Sequence, residues 1–410
     1  MDSTKGWINK LFFVWLLLLP FNYLTKIASV SADKIMAPVL IILWLFFLPK
    51  PSHRRELQIF VFLFLFLLYI LATTYKLMGS GTVFFDQIWR NLVFMGYYAL
   101  PLLYIRDLNY FKKMHSYIIV FTLLATLSAF CAAIGVITLP KQKFATSRVG
   151  FEEIPKALGF LGSYGDIALG CSLTSLYTFF ASSKEYLFGM GGAVVRSFVV
   201  LSVMMGLIAC QSRNMLLSIC VSLAAYLGLS FASKGPRQLR QIRVSAFFAF
   251  LLMVSAFTVY FSTEIVALVS AIGGERALGT AAGRIESFKL AWEMFSENIL
   301  TGVDIGVYRG EGLVFERLHN MWLGVALKGG LPAVLLLLLL FFVPLSYAIK
   351  SMGGMAVEKE SVIVAAFMSS MFFAVNFYVA FSSTYMWFFL GYATSFVTIE
   401  RHFDETVIKA

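Results

Sequence analysis

Charged residues are scarce in this chain. Of its 410 residues, 13% are Asp, Glu, Lys or Arg and 60% are hydrophobic, with a mean hydropathy of +0.82. A soluble domain carries about 25% charged residues, so the scarcity excludes that class. The apolar runs are roughly 15 to 24 residues long, which suits helices that cross about 30 Å of hydrocarbon, and they lack the alternation of a membrane barrel. The composition predicts an all-α, polytopic membrane protein.

Cysteine and metal-binding patterns are also sparse. The sequence has no Asp-x-Asp pair and no His-x-x-His, and the nearest approach to a divalent site is Glu152-Glu153, a pattern more often found on a solvated loop. We therefore predict no metal and no cofactor. The four cysteines lie in apolar runs without metal-ligand spacing, which predicts small core residues: Cys131, Cys171, Cys210 and Cys220.

The net charge of +11 does not indicate nucleic-acid binding, because the basic residues concentrate in short loops at every second turn. Five predicted inside loops hold 14 of the 33 lysines and arginines, which follows the positive-inside rule. Both termini are then predicted to be cytoplasmic. The first apolar run has no small-residue cleavage site after it, so we interpret it as a retained span. The twelve predicted spans are 11–29, 35–49, 57–75, 91–105, 116–138, 166–182, 194–211, 214–232, 243–262, 331–349, 360–381 and 384–400.

The pattern predicts a single integral membrane domain over residues 1–410, with a large outside loop at 263–318 between the ninth and tenth spans. Loops of this length are usually functional or disordered. Within the loop, Arg284–Asn298 has the apolar period of a helix that lies along the membrane face. Its predicted apolar side contains Ile285, Phe288, Ala291, Trp292 and Phe295, and its polar side contains Glu286, Lys289, Glu293 and Glu297.

Two arginines occupy unusual positions on the predicted outside. Arg284 falls on the apolar side of the loop helix, so it either extends to lipid headgroups or points into a buried site that holds an anion. Arg213 lies between the seventh and eighth spans with apolar sequence on both sides. It either caps an exposed turn or faces a polar interior, because arginines in membrane segments normally do. The seventh span also requires Arg196 to extend to the interface.

His319 is the only histidine predicted outside, because His53, His115 and His402 lie in basic clusters typical of cytoplasmic loops. Imidazole exchanges a proton near neutral pH and can act as a general base toward a sugar hydroxyl. Guanidinium groups bind phosphate oxygens in pairs and stabilise a departing diphosphate. Two arginines and one histidine are the minimum set for displacing a pyrophosphate leaving group with an alcohol.

These residues resemble the O-antigen ligase and polymerase superfamily of bacterial envelope glycan assembly. Its members have a similar number of spans, a large late periplasmic loop, an arginine after the seventh span and an arginine that starts a helix in the loop. They also have a His-[Asn/Ser/Gln]-x9-Gly motif. Arg213 and Arg284 match the arginines, and His319, Asn320 and Gly330 match the motif. The resemblance covers residues 194 to 349.

The resemblance implies a GT-C-like fold in the bacterial inner membrane and a glycosyltransferase with a periplasmic active site. The donor would be a glycan on undecaprenyl pyrophosphate, and no metal or cofactor would be needed. A ligase uses a lipid A–core sugar as acceptor, and a polymerase uses a second lipid-linked repeat unit. Arg213 and Arg284 would hold the diphosphate while His319 deprotonates the acceptor. The ligase pattern often has Gly, Thr or Tyr where this chain has Ala333, which favours a polymerase at that position.

Several features keep other interpretations open. Asn320 either orients the imidazole or caps the following helix, and Gly330, within Gly-Gly-Leu-Pro, is predicted to break that helix before the tenth span. In the loop 139–165, Arg148 lies on a basic face suited to acceptor phosphates or lipid headgroups, or it is simply solvated. Asp166, which opens the sixth span, is a further candidate. A lipid-linked oligosaccharide flippase or transporter is the rival class, although the sequence shows no internal repeat.

Overall fold

A computed structural model describes residues 2–21, 26–27, 30–47, 61, 64, 68, 81–105, 107–137, 164–182, 186–210, 212–233, 288–303, 320–352, 358–376 and 383–409. These residues are almost entirely helical, and the β structure among them is one hairpin of two-residue strands, β1 (Lys26–Ile27) and β2 (Val30–Ser31). The predicted all-α class is therefore confirmed over the described part of the chain.

The described helices, in chain order, are α1 (Asp2–Leu18), α2 (Ala32–Phe47), α3 (Gly81–Tyr104), α4 (Leu108–Ala133), α5 (Tyr164–Phe180), α6 (Ala193–Cys210), α7 (Arg213–Ser233), α8 (288–297), α9 (Met321–Ser351), α10 (Glu358–Ala374) and α11 (Thr384–Lys409). Within the described residues, α4, α6 and α9 are long and apolar enough to cross a membrane. Each predicted span overlaps one of the described helices α1 to α11, with two exceptions: of 57–75 only residues 61, 64 and 68 are described as helical, and 243–262 lies outside the described residues.

The predicted bounds of the first span are wrong. α1 begins at Asp2, ends at Leu18 and passes into a 3-10 turn at Leu19–Phe21. Pro20 lies in that turn, and proline ends a helix because it has no amide hydrogen and clashes with the preceding turn. The strand β1 (Lys26–Ile27), which pairs with β2 just beyond it, then lies inside the range 11–29 that we predicted as helix.

One end of the bundle, which we call the Lys112 end, is where α4 and α10 begin and α5 ends. Lys112 Nζ lies 3.5 Å from Glu360 Oε1, an ion pair that joins the first turns of α4 and α10. His115, three residues further along α4, is hydrogen bonded through Nε2 to the hydroxyl of Tyr177 near the end of α5 at 2.6 Å. The two helices α4 and α5 are therefore antiparallel.

The opposite end, which we call the Asn320 end, is where α9 begins, α10 ends and both α5 and α11 begin. The amide of Met321 donates to the carbonyl of Val375 at 2.9 Å, which joins the start of α9 to the end of α10. The hydroxyl of Ser383, just before α11, donates to the carboxylate of Asp166 in the first turn of α5. Four helix termini therefore meet at this end.

Arg196 closes the end of α5. Its guanidinium donates to the carbonyls of Thr178, Ala181 and Gly191 at 2.7, 2.6 and 3.1 Å and lies 4.8 Å from the centre of the Tyr186 ring. The last carbonyls of a helix lack partners within the helix and carry partial negative charge, which a cation satisfies. α6 therefore starts at the Lys112 end.

The cysteine prediction is confirmed for two residues and wrong for one. Cys171 and Cys210 are buried, Cys131 is half-buried and Cys220 is exposed; all four are free. Cys220, on α7, is exposed and is therefore not a core residue.

Candidate active site

Arg213 is the first residue of α7. α6 begins at the Lys112 end and packs against the second half of α4 at Gly206, where an added Cβ would lie 2.5 Å from Thr126 Cγ2. α6 therefore runs toward the Asn320 end, ends at Cys210, and is followed within three residues by α7. The backbone of Arg213 consequently lies at the Asn320 end. Its side chain lies outside the described residues.

His319 also lies outside the described residues, but the next residue begins the described part of its motif. The side chain of Asn320 accepts a hydrogen bond from the Leu323 amide at 2.9 Å and so caps the first turn of α9. Of the two roles we left open for Asn320, the structure shows the capping role. The bond from Met321 to the Val375 carbonyl fixes this first turn against the end of α10.

The predicted loop helix is present as α8 in residues 288–297, and Arg284 precedes the described part. Ala291 and Met294 are buried in a small core that also contains Leu327 of α9, with Phe288 and Phe295 packed against it. The predicted polar residues Lys289, Glu293 and Glu297 are exposed. Trp292, also on the predicted apolar side, is not packed in this core, and 62% of its surface is exposed. It lies at the margin of the apolar face, where the wheel angle alone does not separate packed from exposed residues.

Gly330 breaks α9, as the Gly-Gly-Leu-Pro sequence predicts. Its φ of 65° and ψ of −167° are not helical, and that region is essentially restricted to glycine. The amide of Leu331, released from the helix by the break, donates to the carbonyl of Ile299 at 2.6 Å. A Cβ on Gly330 would lie 2.5 Å from that carbonyl oxygen and from Leu300 C. Glycine is thus required both for the conformation and for the approach of the loop backbone.

A second backbone bond joins the loop to the same segment. The amide of Val303 donates to the carbonyl of Leu327 at 2.7 Å, and Gly302, with φ of 72°, lets the two backbones approach. The end of α8 therefore lies beside the end of segment 321–329, and the two helices share one small core.

Of the remaining candidates, Asp166 lies within the described residues and Arg148 does not. Asp166 is buried, with 4% of its surface exposed, and accepts a hydrogen bond from Ser383. It therefore joins the starts of α5 and α11 at the Asn320 end. Arg148 and its basic neighbours lie outside the described residues.

The prediction that His115 belongs to a cytoplasmic loop is wrong. It lies inside α4 with 5% of its surface exposed and is stacked on the Tyr177 ring at 3.6 Å between centroids. The Tyr177 hydroxyl is in turn hydrogen bonded to the hydroxyl of Tyr392 at 2.8 Å. α4 starts at Leu108, eight residues before the predicted span, and this extension carries the histidine into the bundle.

Sequence reasoning missed a buried carboxylate at Asp33. Its surface is fully buried, the hydroxyl of Tyr97 donates to it, and Trp15 Nε1 donates to its backbone carbonyl at 2.9 Å. The available signal was the position of an acid in the first turn of an apolar helix. Over the described residues, no three His, Cys, Asp or Glu side chains group in a way that could hold a metal ion.

The long apolar helices, the broken helix α9 and the docked loop helix define a helical membrane protein in which α7 and α9 begin at one end of the bundle. Residues 197–338 match the family described as O-antigen ligase. This match contains Arg213, Arg284, His319, Asn320 and Gly330 and confirms the resemblance to the O-antigen ligase superfamily. No curated protein matches the chain.

Proposed function

We propose that this protein is an O-antigen ligase. It transfers a glycan from undecaprenyl pyrophosphate to a sugar hydroxyl of lipid A–core, inverts the anomeric centre and uses no metal. In this proposal the protein is a single multi-pass domain of the bacterial inner membrane, both termini are cytoplasmic, and the Asn320 end faces the periplasm. The loop 263–318 supplies α8 to the site.

The observation that carries the proposal is the grouping of chain segments at the Asn320 end. α7 begins there at Arg213, and α9 begins there next to His319. The residues that follow α8 are fixed beside α9 by the bonds at Ile299 and Val303, and the two helices share one small core. Arg284 precedes Phe288 by four residues, a length of chain that reaches at most about 14 Å. His319 therefore precedes the first turn of a helix that starts at this end, and Arg284 is close in the chain to the first turn of α8.

The roles follow from the chemistry of the side chains. Arg213 and Arg284 bind the diphosphate oxygens through paired N–H donors and stabilise the negative charge that develops as the glycosidic bond breaks. His319 accepts the proton of the acceptor hydroxyl as it attacks the anomeric carbon from the opposite face. Asn320 caps α9, and Gly330 sets the position of α8 against it. Arginine remains charged at every relevant pH, so the diphosphate needs no metal ion.

A polymerase of the same superfamily is the second candidate, and Ala333 favours it. This residue is fully buried three positions after Gly330, where ligases often have Gly, Thr or Tyr. In this alternative the acceptor is a second lipid-linked repeat unit, and the residues at the diphosphate keep the same roles.

A deletion strain complemented with the wild type or with His319→Ala tests the proposal. Surface glycolipids are separated on a gel, and lipid-linked glycans are extracted in parallel. For a ligase, the mutant strain lacks polymer-capped lipopolysaccharide and accumulates lipid-linked polymer. Accumulation of single lipid-linked repeat units supports the polymerase instead. Normal glycolipids with His319→Ala at wild-type protein level would remove the histidine from the mechanism.

A further inference from the structure

Three large apolar side chains are exposed on α8 and the turn that follows it. Trp292 is largely exposed, and Ile299 and Leu300 have 45% and 67% of their surfaces exposed. None of the three belongs to the small core through which α8 packs on α9. Single exposed apolar residues are ordinary on a protein surface, but a group of them marks an interaction surface.

Trp292 and Ile299 lie on the same side of this segment. The amide of Asn298 donates to the Phe295 carbonyl at 3.0 Å, and the amide of Gly302 donates to the Asn298 carbonyl at 2.9 Å. The helical coil therefore continues beyond the last residue of α8. Ile299 follows Trp292 by about two helical turns. Their side of the segment lies between the face that packs on α9 and the solvated face that carries the charged residues.

The same residues adjoin an exposed apolar face of α9. The Leu331 amide donates to the Ile299 carbonyl at 2.6 Å, and a Cβ on Gly330 would lie 2.5 Å from Leu300 C. Leu331 begins a series of exposed apolar residues spaced by three or four positions, which is one face of a helix: Leu331, Leu335, Leu339 and Phe342. Because α9 is long and apolar enough to cross a membrane, this exposed face is the one that contacts lipid.

The length of α9 gives the depth of this junction. From Leu331, just after the break, to Ser351 the helix is about 30 Å long at about 1.5 Å per residue. The hydrocarbon layer of a bilayer is also about 30 Å thick, and Lys350 lies in the last turn, as expected at the opposite boundary. Leu331 and the neighbouring Ile299 and Leu300 therefore lie at the hydrocarbon boundary of the Asn320 end, the depth at which tryptophan is enriched in membrane proteins.

We propose that Trp292, Ile299 and Leu300 bind the lipid bilayer at this boundary and hold α8 at a fixed depth. Lipid is the occupant because the three residues continue the lipid-facing surface of α9, while the charged side of α8 remains in water. The face of the loop helix that we expected to lie on the membrane packs on α9 instead, and its neighbouring side makes the lipid contact. The inference does not depend on the proposed glycan transfer.

Quenching of tryptophan fluorescence by brominated lipids tests the proposal. The full chain is reconstituted in phosphatidylcholine vesicles whose acyl chains carry bromine either near the headgroups or near the bilayer centre. The chain has seven tryptophans, so the signal of Trp292 is the difference between the wild type and Trp292→Phe. We expect shallow bromine to remove most of this difference signal and deep bromine to leave most of it. Leu339→Trp is the matched control, because it adds a tryptophan to the exposed face of α9 about 12 Å further along the helix, and its added signal should respond more to deep bromine.

A difference signal that neither brominated lipid changes would overturn the proposal. Quenching by iodide in the aqueous phase would then show that Trp292 is solvated, and protection from iodide would show that protein, such as a second copy of the chain, covers it. Stronger quenching by deep than by shallow bromine would contradict the placement at the boundary. A second variant, Leu300→Trp in the Trp292→Phe background, should show the same preference for shallow bromine, and the opposite preference would contradict the contact next to Leu331.

Discussion

The two ends of the bundle differ in whether their buried polar side chains have partners within the protein. At the Lys112 end the charged and aromatic groups have protein partners: Lys112 with Glu360, His115 with Tyr177, and Arg196 with three backbone carbonyls. Toward the Asn320 end, four buried side-chain atoms have no hydrogen-bond partner among the described residues: Ser31 Oγ, Asp33 Oδ1, Ser218 Oγ and Trp322 Nε1.

Polar residues of the same types therefore have different roles at the two ends: a structural role where they have protein partners, and a chemical role where they do not. A buried polar group without a partner costs about 1–3 kcal/mol, and a fold retains it where something outside the chain supplies the missing bond or where the strain serves another purpose. At the Lys112 end, the described polar groups have little unused hydrogen-bonding capacity with which to bind a ligand. The Asn320 end carries the starts of α7 and α9 and the unsatisfied atoms. If the proposed site lies there, substitutions at this end should affect transfer more than stability, and the reverse should hold at the Lys112 end.

Arg213 at the Asn320 end and Arg196 at the Lys112 end give the largest expected difference between the two ends. Arg213→Lys should lower the rate of glycan transfer by about 100-fold, because an ammonium group cannot bind two diphosphate oxygens in the manner of a planar fork. Arg196→Lys should leave the rate near that of the wild type but lower the Tm, since one ammonium cannot reach three carbonyls. Transfer is measured with purified enzyme and lipid-linked donor, and unfolding is followed in the same preparation.

Equal rates for Arg213→Lys and the wild type would contradict the diphosphate role. Transfer that stops when EDTA is added would show that a metal, rather than the arginines alone, neutralises the leaving group. A transfer defect in Arg196→Lys at normal stability would remove the distinction between the two ends.

Glycine substitutions test how the loop is held. Gly330→Ala should lower both transfer and stability, because a conformation of this kind costs a side chain about 1–3 kcal/mol and the Cβ would displace Ile299 and Leu300. Thermal unfolding and limited proteolysis between α8 and α9 measure the effect. Gly192→Ala is the matched control at the Lys112 end, since nothing lies within 4 Å of a Cβ there.

A Gly330→Ala variant that cleaves and melts as the wild type does would show that the loop is not held through this break. A variant that is destabilised yet fully active would show that the position of α8 does not matter for transfer, which would weaken the role proposed for Arg284.

Much of the local structure was predictable because it depends on residues close in sequence. The apolar period of 284–298 identified the packed residues Phe288, Ala291 and Phe295, and Gly-Gly-Leu-Pro identified the break at Gly330. The end of α1 at Pro20 also has a local cause, but the continuous apolar composition around it obscured that proline. The grouping of the motif residues at one end came from the resemblance, and the structure supplies the described chain segments that support it.

The remaining contacts could not be read from the sequence because they join distant segments. His115 meets Tyr177 across 62 residues, and Ser383 meets Asp166 across 217. A helical period shows which residues face a neighbour, but it does not show which helix that neighbour is. Basic clusters at helix starts, such as Lys112 to His115, were therefore interpreted as loops although the helix had already begun.

The two capped helix starts give the smallest and most discriminating contrast. Asn320 accepts from the Leu323 amide at 2.9 Å, and Asp107 accepts from the Tyr110 amide at 2.8 Å at the start of α4. Truncation of either cap to alanine should cost about 1 kcal/mol of stability. If Asn320 acts only as a cap, Asn320→Ser restores both the Tm and the small loss of transfer that accompanies fraying of the first turn. A serine variant with normal Tm and persistently slow transfer would show instead that the amide also orients the His319 imidazole, a role that the Asp107 variants have no means to reproduce.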